Sequence, residues 1–198
     1  MPHKKVEING VVIPSVTQVL GIIDKPFLKL WFGKLGTAEC QRLLKEANAT
    51  GTAVHEAIHQ YLKGEMHDDF YYDYISSFRE WKEFHNFKPI ILEPPEPLID
   101  TNLGYQGTFD AVGRADEEMC ICDWKTSSRI SQEAPLQLAA YANLWNNGIH
   151  GTSLFVTTGW IVRIDKKTKK LDAKKFEHLD KIFPVFEACL KVWKFINE

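Results

Sequence analysis

Gly107-Thr108-Phe109-Asp110 and, after a short connection, Cys122-Asp123-Trp124-Lys125-Thr126-Ser127 form the stretch from which the rest of the chain can be read. Side chains two apart on a strand share a face, so Asp123 and Lys125 point one way while Cys122 and Trp124 point the other. With Asp116-Glu117 as a two-residue turn, an antiparallel register sets Asp110 directly across from Asp123, their Cβ atoms ~4.5–5.5 Å apart. Opposed carboxylates repel unless a cation or a shared proton neutralises them. A divalent ion held by oxygen ligands gives that arrangement a reason, and Lys125 on the same face puts an amine beside its water. The plainer reading is a surface hairpin with two exposed acids and a salt-bridging lysine. Val112, Met119 and Ile121, which share the acids' face, count against it because they imply burial.

Working outward, the pattern predicts strands over 104–115 and 118–126, a helix over 133–147, a strand pair near 152–165 and a closing helix over 172–196. Upstream, residues 4–13 alternate around Asn9-Gly10, a favoured hairpin turn. Ser15 reads as the N-cap of a short helix ending near Gly21. A helical stretch over 25–63 is expected to break near Gly36 and again at Thr50-Gly51. An aromatic-rich helix over 68–87 follows. Pro89, Pro94, Pro95 and Pro97 then confine the next stretch to an edge strand or an extended connection. This order implies an α/β protein, a mixed sheet flanked by helices.

The 198 residues suffice for one domain spanning 1–198. Apolar residues make up 44% and charged residues 25%, a globular composition. No apolar run reaches the ~18 residues of a membrane span, and the start lacks a signal peptide's apolar stretch. An intracellular, cytoplasmic protein with no membrane partner is expected. Cys40, Cys120, Cys122 and Cys189 are too scattered for a disulfide framework and are read as reduced thiols. A net charge of -2 excludes a basic protein that binds polyanions over its whole surface. Contact with nucleic acid must come from local patches: Lys25, Lys29 and Lys34, or Lys166, Lys167, Lys169, Lys170, Lys174 and Lys175. Solvated surface charge is an equally good reading of both.

His55-Glu56-Ala57-Ile58-His59 is a literal HExxH, a zinc-peptidase signature. Its extended form is absent, since Leu62 and Glu65 stand where a glycine and a third histidine belong, although Glu80 can be considered as a third ligand. A peptidase has no use for Asp110, Asp123 and Lys125.

GTFDAVG and ICDWKTS resemble the acidic strand and the D/E-x-K strand of the PD-(D/E)XK nuclease superfamily. The similarity is to its RecB-like exonuclease branch, phage-type and similar to the mitochondrial genome-maintenance exonuclease. GTAVHEAIHQYL resembles that branch's upstream helix with a metal-binding histidine, and QLAAY its glutamine-and-tyrosine motif. The likeness runs from about Ser15 to Tyr141. It implies a restriction-endonuclease-like core over 51–198 behind a β-hairpin and helical cap over 1–50. It also implies catalytic Asp110, Asp123 and Lys125, and metal ligation by His55, Asp110, Asp123 and the Trp124 carbonyl, with Mg²⁺ or Mn²⁺ as the ion. DNA is the implied partner, single-stranded or at its ends, cut to a 5′-phosphate and a 3′-hydroxyl. Gln137 and Tyr141, four apart on one helical face, are the implied DNA contacts; read without the family they equally brace the metal site or form an ordinary satisfied surface. His55 sits beside the apolar stripe Val54, Ile58, Tyr61 and Leu62, where a lone histidine is usually structural. Glu93 or Glu96 is a candidate helper for a second metal. Cys120 and Cys122 lie within a strand, facing away from the acids, so no iron–sulfur cluster is expected. A nucleic-acid-binding module without catalysis is the third reading, and the full acid, lysine and histidine set argues against it.

Overall fold

The computed structural model describes residues 6–8, 11–66, 68–148 and 154–197. Val6–Ile8 (β1) and Val11–Ile13 (β2) pair antiparallel, with Ile8 opposite Val11. The Asn9-Gly10 turn expected between them lies outside the described residues. Ser15 caps helix α1, Val16–Leu20, reciprocally: its N–H donates to Gln18 Oε1 at 2.8 Å, and its hydroxyl accepts from the Gln18 N–H at 3.3 Å. Helix α2, Pro26–Leu35, opens on a proline whose missing N–H costs nothing in the first turn, and it stops at Gly36.

Helix α3 runs unbroken through Thr37–Lys63, so the break expected at Thr50-Gly51 does not occur. One glycine costs a helix only about 1 kcal/mol relative to alanine. Burial of Val54, Ala57 and Ile58 one and two turns further on outweighs that. Thr50 directs its hydroxyl to the Glu46 carbonyl at 3.0 Å, which satisfies it without leaving the helix. After a 3-10 turn at Asp69–Tyr71, helix α4 covers Tyr72–Phe84.

The remaining elements are β3 (Lys88–Leu92), β4 (Leu98–Asp100), β5 (Tyr105–Gly107), β6 (Ala111–Ala115), β7 (Glu118–Lys125), α5 (Ala134–Gly148), β8 (Thr158–Ile164), β9 (Leu171–Phe176) and α6 (Leu179–Asn197). Five strands form the main sheet in the order β3-β6-β7-β8-β9. Its neighbours are antiparallel except β7 and β8, which run parallel because α5 crosses over between them. Pro89 sits on edge strand β3 beside a register shift, where its missing donor is tolerated.

Two expectations change. The strand expected over 104–115 is two strands: β5 pairs with β4 in a separate ribbon, and residues 108–110 leave the ladder before β6 begins. Gly107, the last residue of β5, lies against Tyr141 and Val16. The strand pair expected near 152–165 is β8 alone, residues 152 and 153 lying outside the described residues. Its partner β9 occupies a segment expected to begin the last helix, which starts at Leu179 instead. In β9 the half-buried Leu171 and Ala173 alternate with exposed Asp172 and Lys174. Lysines guard an edge strand against further pairing, and in sequence they resemble the solvated face of a helix.

The sheet separates two apolar layers. On one side Val112, Met119, Ile121 and Ile161 pack with α1, α5 and α6. On the other Cys120, Cys122, Trp124 and Val162 pack with α3 and α4. Strand β7 therefore alternates between the layers, with Asp123 and Lys125 on the α5 side in register with Ile121.

Candidate active site

Asp116 and Glu117 have φ of 51° and 66°, the left-handed pair of a tight hairpin turn. From that turn the β6–β7 register runs Ala115↔Glu118 to Ala111↔Cys122, and one further step brings Asp110 across from Asp123. Asp110 lies just beyond β6, where the backbone has left the ladder, and its side chain takes over the pairing. Its Oδ2 accepts the Trp124 N–H at 2.6 Å. The N–H and C=O of one strand residue face the same neighbour, so the Trp124 carbonyl also lies along the edge that Asp110 occupies.

The other Asp110 oxygen, Oδ1, is 2.9 Å from His55 Nδ1 on α3. Asp123, only 4% exposed, accepts from the Gln137 amide at 3.2 Å through Oδ1. Its Oδ2 lies 2.6 Å from Lys125 Nζ. Among the described residues that charged contact is the only partner of Oδ2, which is shielded from solvent. Gln137 Nε2 also donates to the Tyr141 hydroxyl at 2.9 Å. Two helices thus flank the acids, α3 carrying the imidazole and α5 the amide and the phenol.

Charge balance follows from these contacts. Burial works against a charged Asp110, but His55, Lys125 and the Trp124 N–H outweigh it and hold its pKa below the usual carboxylate value. Burial dominates at Asp123; Lys125 opposes it, Asp110 adds to it, and the pKa is raised. Burial disfavours charge on both His55 and Lys125, yet the facing carboxylates leave both with raised values. Tyr141 is pushed up by burial and by Asp123, so its hydroxyl stays protonated. The two acids are driven apart in pKa, as expected for carboxylates sharing one confined space.

The structure brings His55, Asp110, Asp123, Trp124, Lys125, Gln137 and Tyr141 into one contiguous site. Gln137 and Tyr141 are 7% and 5% exposed and face Asp123, which favours bracing over open contact with a polymer. Glu93 belongs to the neighbourhood too: burial and Asp110 raise its pKa, and His55 lowers it. Glu96 is exposed. His59, the second histidine of the HExxH stretch, has a buried Nε2 with no hydrogen-bond partner among the described residues.

Among the described residues no three His, Cys, Asp or Glu side chains converge as a ready-made ion cage. The donor set is nonetheless of the right kind: two carboxylates, a carbonyl and an imidazole, with one buried carboxylate oxygen facing only the Lys125 ammonium among the described residues. A mostly oxygen set suits Mg²⁺ or Mn²⁺. The zinc-peptidase reading finds no such support. Glu80 lines a cleft with Asp73, Ser76 and Ser77 of α4 and the β8–β9 turn, and Glu56 is exposed and holds Gln60.

The first lysine patch is largely neutralised, with Lys25 2.5 Å from Glu133 and Lys29 2.7 Å from Asp24. Among the described residues no helix is long and apolar enough to cross a membrane.

Residues 27–194 match the model of the PD-(D/E)XK nuclease superfamily, and the chain belongs to that superfamily. Its mixed sheet flanked by helices, with a helical N-terminal extension, is the restriction-endonuclease-like architecture. Members typically use divalent metal ions. Two solved structures are similar. The first, "Crystal structure of SSO0001", has 15% identity and a TM-score of 0.45, covering 96% of this chain and 79% of that one. The second, "Crystal Structure of LHK-Exo in complex with dAMP", has 11% identity and a TM-score of 0.44, covering 90% of this chain and 82% of that one. No curated protein matches.

Proposed function

We propose that this chain is a metal-dependent deoxyribonuclease of the RecB-like branch, acting as an exonuclease on single strands or DNA ends in replication, recombination or repair. The observation that carries this reading is the meeting of Asp110, Asp123, Lys125 and His55 at the end of the β6–β7 hairpin. Asp110, Asp123, the Trp124 carbonyl and His55 would hold Mg²⁺ or Mn²⁺. Such an ion, when bound, polarises the scissile phosphate and acidifies a water. Lys125 orients that water and offsets the charge that grows on the phosphate oxygens. Gln137 and Tyr141 fix the Asp123 carboxylate. The water oxygen joins phosphorus, the P–O3′ bond breaks, and the 3′-oxygen leaves with a proton, giving a 5′-phosphate and a 3′-hydroxyl.

The exonuclease mode draws on helix α2. Trp31 and Phe32, edge to face with centroids 5.6 Å apart, belong to neither core layer, and Leu30 is 69% exposed. Such a helix, standing off the core, can cap the site and stack bases of a single strand.

The test is end-labelled single-stranded, duplex and covalently closed circular DNA with Mg²⁺, Mn²⁺, Zn²⁺ or chelator, with casein as a protease control. Cleavage of ends with Mg²⁺ or Mn²⁺, lost with chelator and reduced roughly 10²–10³-fold in Lys125→Ala, is the expected result. Casein cleavage that disappears in Glu56→Ala overturns the reading in favour of the peptidase. Binding of DNA without hydrolysis, unchanged in Asp123→Ala, overturns it in favour of an inactive module.

A further inference from the structure

Strand β8 runs parallel to β7 with Arg163 beside Lys125, and it continues past the acids into the turn to β9. At ~3.3 Å per residue, Lys166 lies about 10 Å beyond the level of Lys125. This turn is built, not loose. Asp165 Oδ1 accepts the N–H groups of Lys167 and Thr168, each at 2.9 Å, and its Oδ2 takes Arg163 Nη1 at 3.2 Å. Tyr74 and Ser77 of α4 donate to the carbonyls of Lys166 and Lys169 at 3.1 and 2.7 Å. Arg163 Nη1 also donates to the Ser127 carbonyl at 3.0 Å, which ties the turn to the segment leaving Lys125.

The lysines of this region divide by their partners. Lys175 is ion-paired with Glu118 and Glu177, and Lys174 lies over the Phe176 ring. Lys169 is pinned to the Tyr74 hydroxyl and the Lys166 carbonyl. Lys166, Lys167 and Lys170 are exposed and form no ion pair with a described residue. Asp165, the acid within the turn, spends its charge on the turn's own N–H groups, while Asp73 and Glu80 share a cleft with Lys169 and Lys170 without an ion pair to Lys170. Three exposed ammonium groups without an ion-pair partner among the described residues thus sit on a rigid tip, at the end of the sheet that carries the acids, in a chain whose net charge is -2.

We propose that the β8–β9 turn is a phosphate-backbone contact surface, in which Lys166, Lys167 and Lys170 grip the flank of the nucleic-acid strand whose scissile bond lies at Asp110 and Asp123. The inference rests on the nuclease reading and names where its substrate is held. A strand carries one phosphate per ~3.4 Å in B-form, so the turn meets phosphates within about three nucleotides of the cut. Contacts of this kind position the strand without reading its sequence.

The test compares wild type, the turn variant Lys166→Ala/Lys167→Ala/Lys170→Ala and a control, Lys181→Ala/Lys191→Ala/Lys194→Ala on α6. Binding of labelled single-stranded DNA in chelator is followed over a salt series, and kcat and KM are measured with metal. Each phosphate contact contributes ~0.7 to the slope of log affinity against log salt, so the turn variant is expected to lose about 2 from it. KM should rise while kcat holds, and the control should match wild type. An unchanged slope in the turn variant, or an equal loss in the control, overturns the assignment while leaving the nuclease reading intact. Wild-type protein that neither binds nor cuts DNA overturns both.

Discussion

Gly107 lies under the ring of Tyr141: a Cβ at that position would fall 2.7 Å from Tyr141 Cε1 and 3.0 Å from Val16 Cγ2. Both neighbours are buried, and the Tyr141 hydroxyl accepts from Gln137, so neither can yield freely. Overpacking of this kind costs about 1–3 kcal/mol. Gly107→Ala is expected to lower Tm by several degrees in thermal unfolding. A double-mutant cycle with Tyr141→Leu should return a coupling of roughly 0.5–3 kcal/mol.

Asp123 is buried with a raised pKa, so its charge serves something other than stability. Asp123→Asn keeps the shape and an acceptor for Gln137. It is expected to reduce DNA cleavage by roughly 10²–10³-fold while Tm stays within a few degrees of wild type. A large fall in Tm alongside the lost activity would assign the carboxylate to the scaffold.

The turn at Asp165 carries a pH signature. The Thr168 and Lys167 N–H groups hold its pKa down to about 2. A depressed carboxylate contributes stability that is complete above the unfolded value of about 3.9 and is lost as pH falls through the folded one. The Tm difference between wild type and Asp165→Asn should therefore be full above pH ~4.5 and shrink as pH falls toward about 2. A constant difference across that window would refute it.

Glu56 is exposed, its carboxylate holding Gln60 Nε2 at 3.2 Å. Glu56→Ala is expected to leave DNA cleavage within about two-fold of wild type, since a solvated helix-surface contact is worth only ~0.2–0.5 kcal/mol. Loss of all cleavage would restore HExxH as the catalytic motif.

The site was legible where chemistry is local. The Asp116-Glu117 turn sets the register, which the ladder follows to Ala111 opposite Cys122, one residue short of the two acids. What could not be read was tertiary in origin. The departure of residues 108–110 from the ladder falls where Gly107 packs under Tyr141, a contact made across the fold. The continuity of α3 through Gly51 depends on burial further along the helix. The lysines of β9 hid a strand because edge protection and helix solvation use the same residue. His55 carried no signal of its own, since its partner Asp110 is 55 residues away.

That separation governs the order of assembly. The β6–β7 hairpin closes through two residues and can zip in microseconds, whereas docking α3 onto it requires a long loop to close. The hairpin alone therefore does not complete the site: imidazole and amide join the acids only where α3 and α5 pack on the sheet. Any chemistry that needs all four groups therefore waits on the packing of two helices against the sheet, not on the hairpin.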